Sequence, residues 1–130
     1  LRMSRGLGDV YKRQRQHIDQ LASQVVRQIE QSYADSDLSP TRIADSLGMS
    51  SAYLGRIFRE STQTSISQYL NQTRIRRAEE LLRETEQPVE TVAGLVGFSN
   101  PKYFYVVFKN ITGQTPLQFR KAVHSASEKN

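Results

Sequence analysis

A short pattern occurs twice in this chain, about fifty residues apart, and the repetition limits the fold more than any other feature. Val92, Ala93, Val96 and Gly97 match Ile43, Ala44, Leu47 and Gly48 at an offset of 49, while Tyr103, Phe104, Val107 and Phe108 match Tyr53, Leu54, Ile57 and Phe58 at an offset of 50. One extra residue therefore sits in the second turn. Each repeated position has a steric reason. Ile43 and Leu47 lie on one helical stripe, Ala44 is small where two helices cross closely, and Gly48 supplies a left-handed turn that a side chain would resist. Apolar residues ten and thirteen positions after Ala44, Leu54 and Ile57, then face inward from a second helix. A unit of this kind cannot bury its apolar face alone, so two copies imply one small helical architecture built twice.

The helix boundaries repeat with the core. Ser39 stands as a cap before Pro40; Ser50 and Ser51 stand where Asn100 and Pro101 stand; and Ser65, Ile66 and Gln68 stand where Thr115, Pro116 and Gln118 stand. The third pair reads as a capping box. Between the copies lies Ser65 to Thr85, SISQYLNQTRIRRAEELLRET, with Ile66, Tyr69, Leu70, Ala78, Leu81 and Leu82 along one stripe and Gln87 and Pro88 to stop it. About 20 residues at ~1.5 Å each make a rod of roughly 30 Å, close to one turn of B-DNA. A supporting helix over Gln16 to Tyr33 buries Ile18, Leu21, Ala22, Val25, Val26, Ile29 and Tyr33, and a short last helix runs from Pro116 to about His124, placing Phe119 and Val123 on a core face. Ser125 to Asn130 is expected to fray. The expectation is an all-α domain of about seven helices over residues 15–130: two helix-turn-helix units, about 16–63 and 88–124, joined by a linker helix over about 65–85.

Leu1 to Gln14, LRMSRGLGDVYKRQ, shows no helical or strand period, contains two glycines and begins with Leu rather than Met. It is read as a tail outside the fold. The piece LGDVYKRQ resembles translated sequencing-adapter sequence, and the alternative is a native linker from a longer protein. This stretch also distorts the charge. It holds Arg2, Arg5, Lys12 and Arg13 against Asp9, leaving 14 basic and 12 acidic residues beyond it, so only +2 of the net +5 belongs to the domain. Where the charges lie therefore matters more than their sum.

Most chemistry is excluded by what the chain lacks. There is no cysteine, which removes thiol nucleophiles, disulfides and thiolate metal sites and suits a reducing cytoplasm. His17 and His124 lie at opposite ends, and no glycine-rich phosphate loop or metal-spaced cluster occurs. No catalytic residue, metal or cofactor is expected. No apolar run approaches membrane length, and a soluble cytoplasmic protein is the expectation.

The outward residues of the second helix of each unit point to nucleic acid. In the first copy these are Ser51, Ala52, Gly55, Arg56 and Arg59; in the second, Asn100, Lys102, Tyr105, Val106 and Lys109. Neither set contains an acid, whereas the acids gather over Asp35 to Asp45 and Glu79 to Glu90; Glu60 alone lies near the first face, at the helix end. Phosphate contact by Lys or Arg releases counterions, and an acid on that face would be repelled. Taken singly, Arg56 and Arg59 read equally well as solvated helix charges; the duplication favours DNA. Tyr103 and Phe104 are taken as the inward aromatics of the second copy, leaving Tyr105 outward for backbone or a thymine methyl. Arg74 is expected to be structural, held by an acid or a carbonyl.

The motifs IADSLGMSSAYLGRIF, YLNQTRIRRAEELL and VGFSNPKYFYVVFKNITGQTPLQFR resemble the C-terminal DNA-binding domain of AraC/XylS-type transcriptional regulators, a likeness that spans Ile18 to Arg120. The resemblance implies that the third and sixth helices enter successive major grooves on one face of double-stranded DNA. It also implies a monomeric domain in the bacterial cytoplasm at the nucleoid, RNA polymerase as a further partner, and dimerisation of the full protein through an N-terminal domain. An arginine is common in this family both at Arg56 and at its counterpart, where this chain has Val106, and Gly55 is small where a polar base-reading residue is usual. The alternative function is a helical protein-interaction module that has kept the fold and lost DNA binding. RNA fits less well, since A-form geometry closes the major groove to a helix.

Overall fold

The computed structural model describes residues 2–129, with side chains from 6 to 127. Among the described residues seven helices follow one another: α1 (Arg2–Ser32), α2 (Pro40–Ser46), α3 (Ser51–Thr62), α4 (Ile66–Glu84), α5 (Val89–Leu95), α6 (Pro101–Thr112) and α7 (Pro116–Lys129). No strand occurs among the described residues. The chain divides into two units, one holding α1 to Gln31, α2, α3 and α4 as far as Tyr69, the other the loop 32–38, α4 from Leu70, and α5 to α7.

In the first unit α2 begins at Ser39, whose Oγ accepts from the Arg42 amide at 3.1 Å, with Pro40 in the first turn. Gly48 at φ 69° turns the chain, and the Met49 amide returns to the Ala44 carbonyl at 2.9 Å. Ser50 then caps α3 by accepting from the Tyr53 amide at 3.2 Å. Leu21, Ala22, Val25 and Ile29 of α1 are buried, as are Ile43, Ala44, Leu54, Ile57 and Phe58 of the two following helices. Polar bonds fix α1 alongside them: Ser61 Oγ donates to Asp19 at 2.7 Å and Gln28 Nε2 to Ser46 Oγ at 2.9 Å.

The second unit repeats these devices almost bond for bond. Gly97 turns at φ 104° and the Phe98 amide reaches the Ala93 carbonyl at 2.9 Å. Thr62 and Thr112 each donate back to the carbonyl four residues earlier, Phe58 at 2.7 Å and Phe108 at 2.8 Å. The capping box forms in both places: Gln68 N to Ser65 Oγ at 3.0 Å and Gln118 N to Thr115 Oγ1 at 3.2 Å, with Gln68 and Gln118 each accepting from the capping residue's amide in return. Even the edge-on aromatic pair is duplicated, Phe58 with Tyr69 at 5.8 Å and Phe108 with Phe119 at 5.6 Å. Residues 51–60 and 101–110 carry the same order of buried and exposed positions.

The unbroken helix α4 is more than a spacer. Ile66 and Leu70 are buried near its start, and Ile75, Ala78 and Leu82 lie in the core of the second unit with Val92, Phe104 and Phe108. Ile75 was absent from the expected stripe; it is fully buried between two pairs of polar neighbours, Thr73 with Arg74 and Arg76 with Arg77. Arg120 of α7 secures the far end, its Nε donating to the Leu82 carbonyl at 3.1 Å and its Nη2 to that of Thr85 at 3.3 Å. A cation on these orphan carbonyls is favoured by the helix dipole.

Two boundaries differ from expectation. The helix α1 starts at Arg2, through the stretch read as lying outside any regular element, and α7 continues to Lys129 rather than stopping near His124. In both places the side chains are exposed, from Gly6 to His17 and from Ser125 to Ser127. Extending an existing helix costs little once a packed segment has nucleated it, and no proline interrupts either run. The absence of an apolar period there predicts the lack of packing, and says little about helicity. No helix among the described residues is long and apolar enough to cross a membrane.

Candidate nucleic-acid interface

In the first unit Ser51, Ala52, Arg56 and Arg59 are exposed on α3, while Gly55 is half-buried. Three buried residues, Leu54, Ile57 and Phe58, fix which face of α3 is outward. The guanidinium of Arg56 lies over the Tyr53 ring, 5.5 Å from its centroid. Stacking of this kind leaves the edge donors of the guanidinium free while reducing the freedom of the side chain. Arg59, one turn on, stands near the C-terminal end of α3, next to exposed Glu60.

In the second unit Asn100, Lys102, Val106 and Lys109 are exposed on or beside α6. Asn100 Oδ1 accepts from the amides of Lys102 at 2.9 Å and Tyr103 at 3.4 Å, so its carbonyl oxygen is spent on the helix cap and its amide group is what faces outward chemistry. Val106 is 56% exposed, an apolar surface where the first unit carries Arg56.

The two tyrosines of α6 exchange their expected places. Tyr105, taken as the outward ring, is half-buried against the second unit's core and meets Phe104 edge-on at 6.2 Å. Tyr103, taken as inward, is 50% exposed. Its ring rests against Phe98 at 6.0 Å, and its hydroxyl oxygen accepts from Asn71 Nδ2 of α4 at 3.2 Å. Counterparts in the repeat obey the same rule, since half-buried Gly55 matches Tyr105 and exposed Tyr53 matches Tyr103.

Of the arginines on α4, Arg74 is structural, as expected. It is 7% exposed, donates from Nε to the Tyr33 carbonyl at 2.8 Å and from Nη2 to that of Asp35 at 2.9 Å, and covers the Phe98 ring at 5.6 Å. Burial pulls its pKa below the usual arginine value, against the opposing influence of Asp35 and Tyr103. Arg77 is engaged with Glu80 at 2.6 Å, which raises its pKa, and Arg76 reaches Thr73 Oγ1 at 3.4 Å.

Comparison with known proteins agrees with this geometry. Residues 43–122 match the family model of a helix-turn-helix domain. The chain is 37% identical over 100 residues to the Msm operon regulatory protein of Streptococcus mutans, covering 77% of this chain and 36% of that protein. It is 32% identical over 103 residues to the arabinose operon regulatory protein of Escherichia coli, covering 79% and 35% respectively. The chain thus spans about a third of the length of these curated relatives. Among solved structures, the C-terminal domain of AraT, a response regulator from Geobacillus stearothermophilus, superposes with a TM-score of 0.76 at 30% identity, covering 78% of this chain and 84% of that one. The DNA-binding domain of AdpA, solved in complex with a target DNA, superposes with a TM-score of 0.75 at 26% identity over 85% of this chain and 97% of that one. With its duplicated turn, the seven helices of its described residues and these relatives in agreement, the chain belongs to the AraC-type helix-turn-helix family of DNA-binding transcription regulators.

Proposed function

We propose that this domain reads double-stranded DNA with two unequal halves, α3 discriminating bases and α6 mainly gripping the backbone, each helix entering a major groove. The observation that carries the reading is the matched pair of outward faces: two helices of identical burial order over ten residues, with Ser51, Ala52, Arg56 and Arg59 on one and Lys102, Val106 and Lys109 on the other, and with Glu60 near the end of α3 as the one acid on either helix. Arg56 offers the fork that pairs with guanine O6 and N7, a contact that discriminates by about 1–3 kcal/mol. Val106 offers only an apolar edge, suited to a thymine methyl, between two lysines suited to phosphates. Family membership supports a site of action in the bacterial cytoplasm and contact with RNA polymerase once bound; the domain itself acts as a monomer.

A second reading, a protein-interaction module of the same fold, draws on the exposed apolar side chains Val106, Ile111 and Leu117. Salt separates the two. With ~6 phosphate contacts, duplex affinity falls by about three orders of magnitude between 50 and 200 mM salt. A flat response in a titration of the purified domain against mixed-sequence duplex contradicts DNA reading and leaves the interaction module.

A further inference from the structure

The amino-terminal end of α6 faces a shortage of backbone donors. Pro101 has no amide hydrogen, the amides of Lys102 and Tyr103 are taken by Asn100 Oδ1, and that of Phe104 by the Asn100 carbonyl at 3.1 Å. An anion approaching this end of the helix meets side chains instead. The Lys102 ammonium is one donor. A second, besides the amide group of Asn100, is the hydroxyl of Tyr103, a half-exposed ring resting on Phe98, whose oxygen already accepts from Asn71 Nδ2 at 3.2 Å. The direction of that bond matters. Because the amide donates to the phenol oxygen, the phenol's own hydrogen is left for an outside acceptor, and a hydroxyl that accepts one bond becomes a better donor of the next. Ring and oxygen are thus fixed from two sides before any ligand arrives. In the first unit the equivalent ring, Tyr53, is covered by Arg56 instead.

We propose that Tyr103 is a DNA-backbone contact of the second half, its hydroxyl donating to a phosphate beside Lys102, and that Asn71 is the positioning residue that aims it. This rests on the DNA-reading proposal and extends it to α4, whose side chain then takes part in setting the register of α6 on the duplex. A neutral donor to a phosphate has a distinctive signature: it adds affinity for every sequence and, carrying no charge, releases no counterion.

The test compares the whole 130-residue chain with its Tyr103→Phe, Asn71→Ala and doubly substituted variants on one duplex at several salt concentrations. It repeats the binding on duplexes with a single neutral methylphosphonate placed in turn along the second half-site. Tyr103→Phe keeps the ring and is expected to weaken all duplexes by about ten-fold with the salt slope unchanged. Asn71→Ala is expected to weaken binding less, and to add nothing once Tyr103 is Phe. One methylphosphonate position should cost the wild-type chain more binding than the Phe variant, which keeps only the Lys102 contact there. Wild-type affinity in Tyr103→Phe overturns the inference alone, as does an equal cost of Asn71→Ala in both backgrounds or a loss confined to particular base sequences. Failure of the wild-type chain to bind any duplex overturns the DNA reading as well.

Discussion

Arg74 and Tyr33, 41 residues apart in sequence, meet where the arginine Nε donates to the tyrosine backbone carbonyl at 2.8 Å. The same guanidinium holds the Asp35 carbonyl and covers Phe98, so a single buried cation fastens the loop 33–38 onto α4. Arg74 is itself buried, so its loss removes both carbonyl bonds and the cover over Phe98 together. Arg74→Ala is therefore expected to cost about 2–4 kcal/mol, and Arg74→Lys about 1–3 because an ammonium cannot span both carbonyls with a planar fork. Urea unfolding of the two variants checks this; a cost below about 0.5 kcal/mol for Arg74→Ala, the level of an ordinary surface change, would contradict a structural role.

The same contact makes the two turn glycines unequal. A Cβ on Gly97, at φ 104°, would collide with the Tyr33 carbonyl oxygen and lie 2.8 Å from Arg74 Nε, whereas a Cβ on Gly48, at φ 69°, would meet nothing within 4 Å. Gly48→Ala is expected to carry only the conformational penalty of a left-handed residue, about 1 kcal/mol. Gly97→Ala should cost about 3 kcal/mol or more, because a backbone oxygen has nowhere to give. Equal losses of melting temperature in the two variants would contradict the packing described.

Core substitutions should separate sharply from surface ones on α6 and α7. Phe108 is fully buried and meets both Phe104 and Phe119, while Leu117 is 53% exposed. Phe108→Ala is expected to cost about 3–5 kcal/mol, enough to leave a small domain largely unfolded, and Leu117→Ala to stay within about 0.5 kcal/mol. Thermal unfolding followed by circular dichroism distinguishes them.

The parts of this fold that were legible in the sequence are the local ones. Caps at Ser39, Ser50 and Asn100, the boxes at Ser65 and Thr115, and the glycine turns depend on residues within five positions of one another. Partners far along the chain were not legible: the carbonyls that hold Arg74, the C-terminal hold of Arg120 on α4, and the second reason for a glycine at 97. Ile75 was hidden because its neighbours on both sides are polar, and only the second unit's core shows which face it takes. The exchange of Tyr103 and Tyr105 has another cause. Both flank Phe104 by about 100° of helix rotation, and periodicity alone does not say which flank the rest of the unit covers.

Phosphate and base contacts should be separable by mutation. Lys109→Ala is expected to weaken all duplexes about equally and lower the salt slope by roughly one, while Arg56→Ala should relax preference at one or two adjacent base pairs at a cost of about 1–3 kcal/mol on the preferred site. Fluorescence anisotropy with matched and mismatched duplexes reads both effects. A sequence-selective loss in Lys109→Ala would reverse the assignment.

Selection of bound duplexes from a random library, run in parallel for the wild-type chain and Arg56→Ala, tests the division of labour most directly. Two half-sites about one helical turn apart are predicted, the one under α3 sharply defined and the one under α6 showing at most a thymine preference, with Arg56→Ala blurring the first and leaving the second. A sharper site under α6, or an unchanged consensus in Arg56→Ala, would contradict the account.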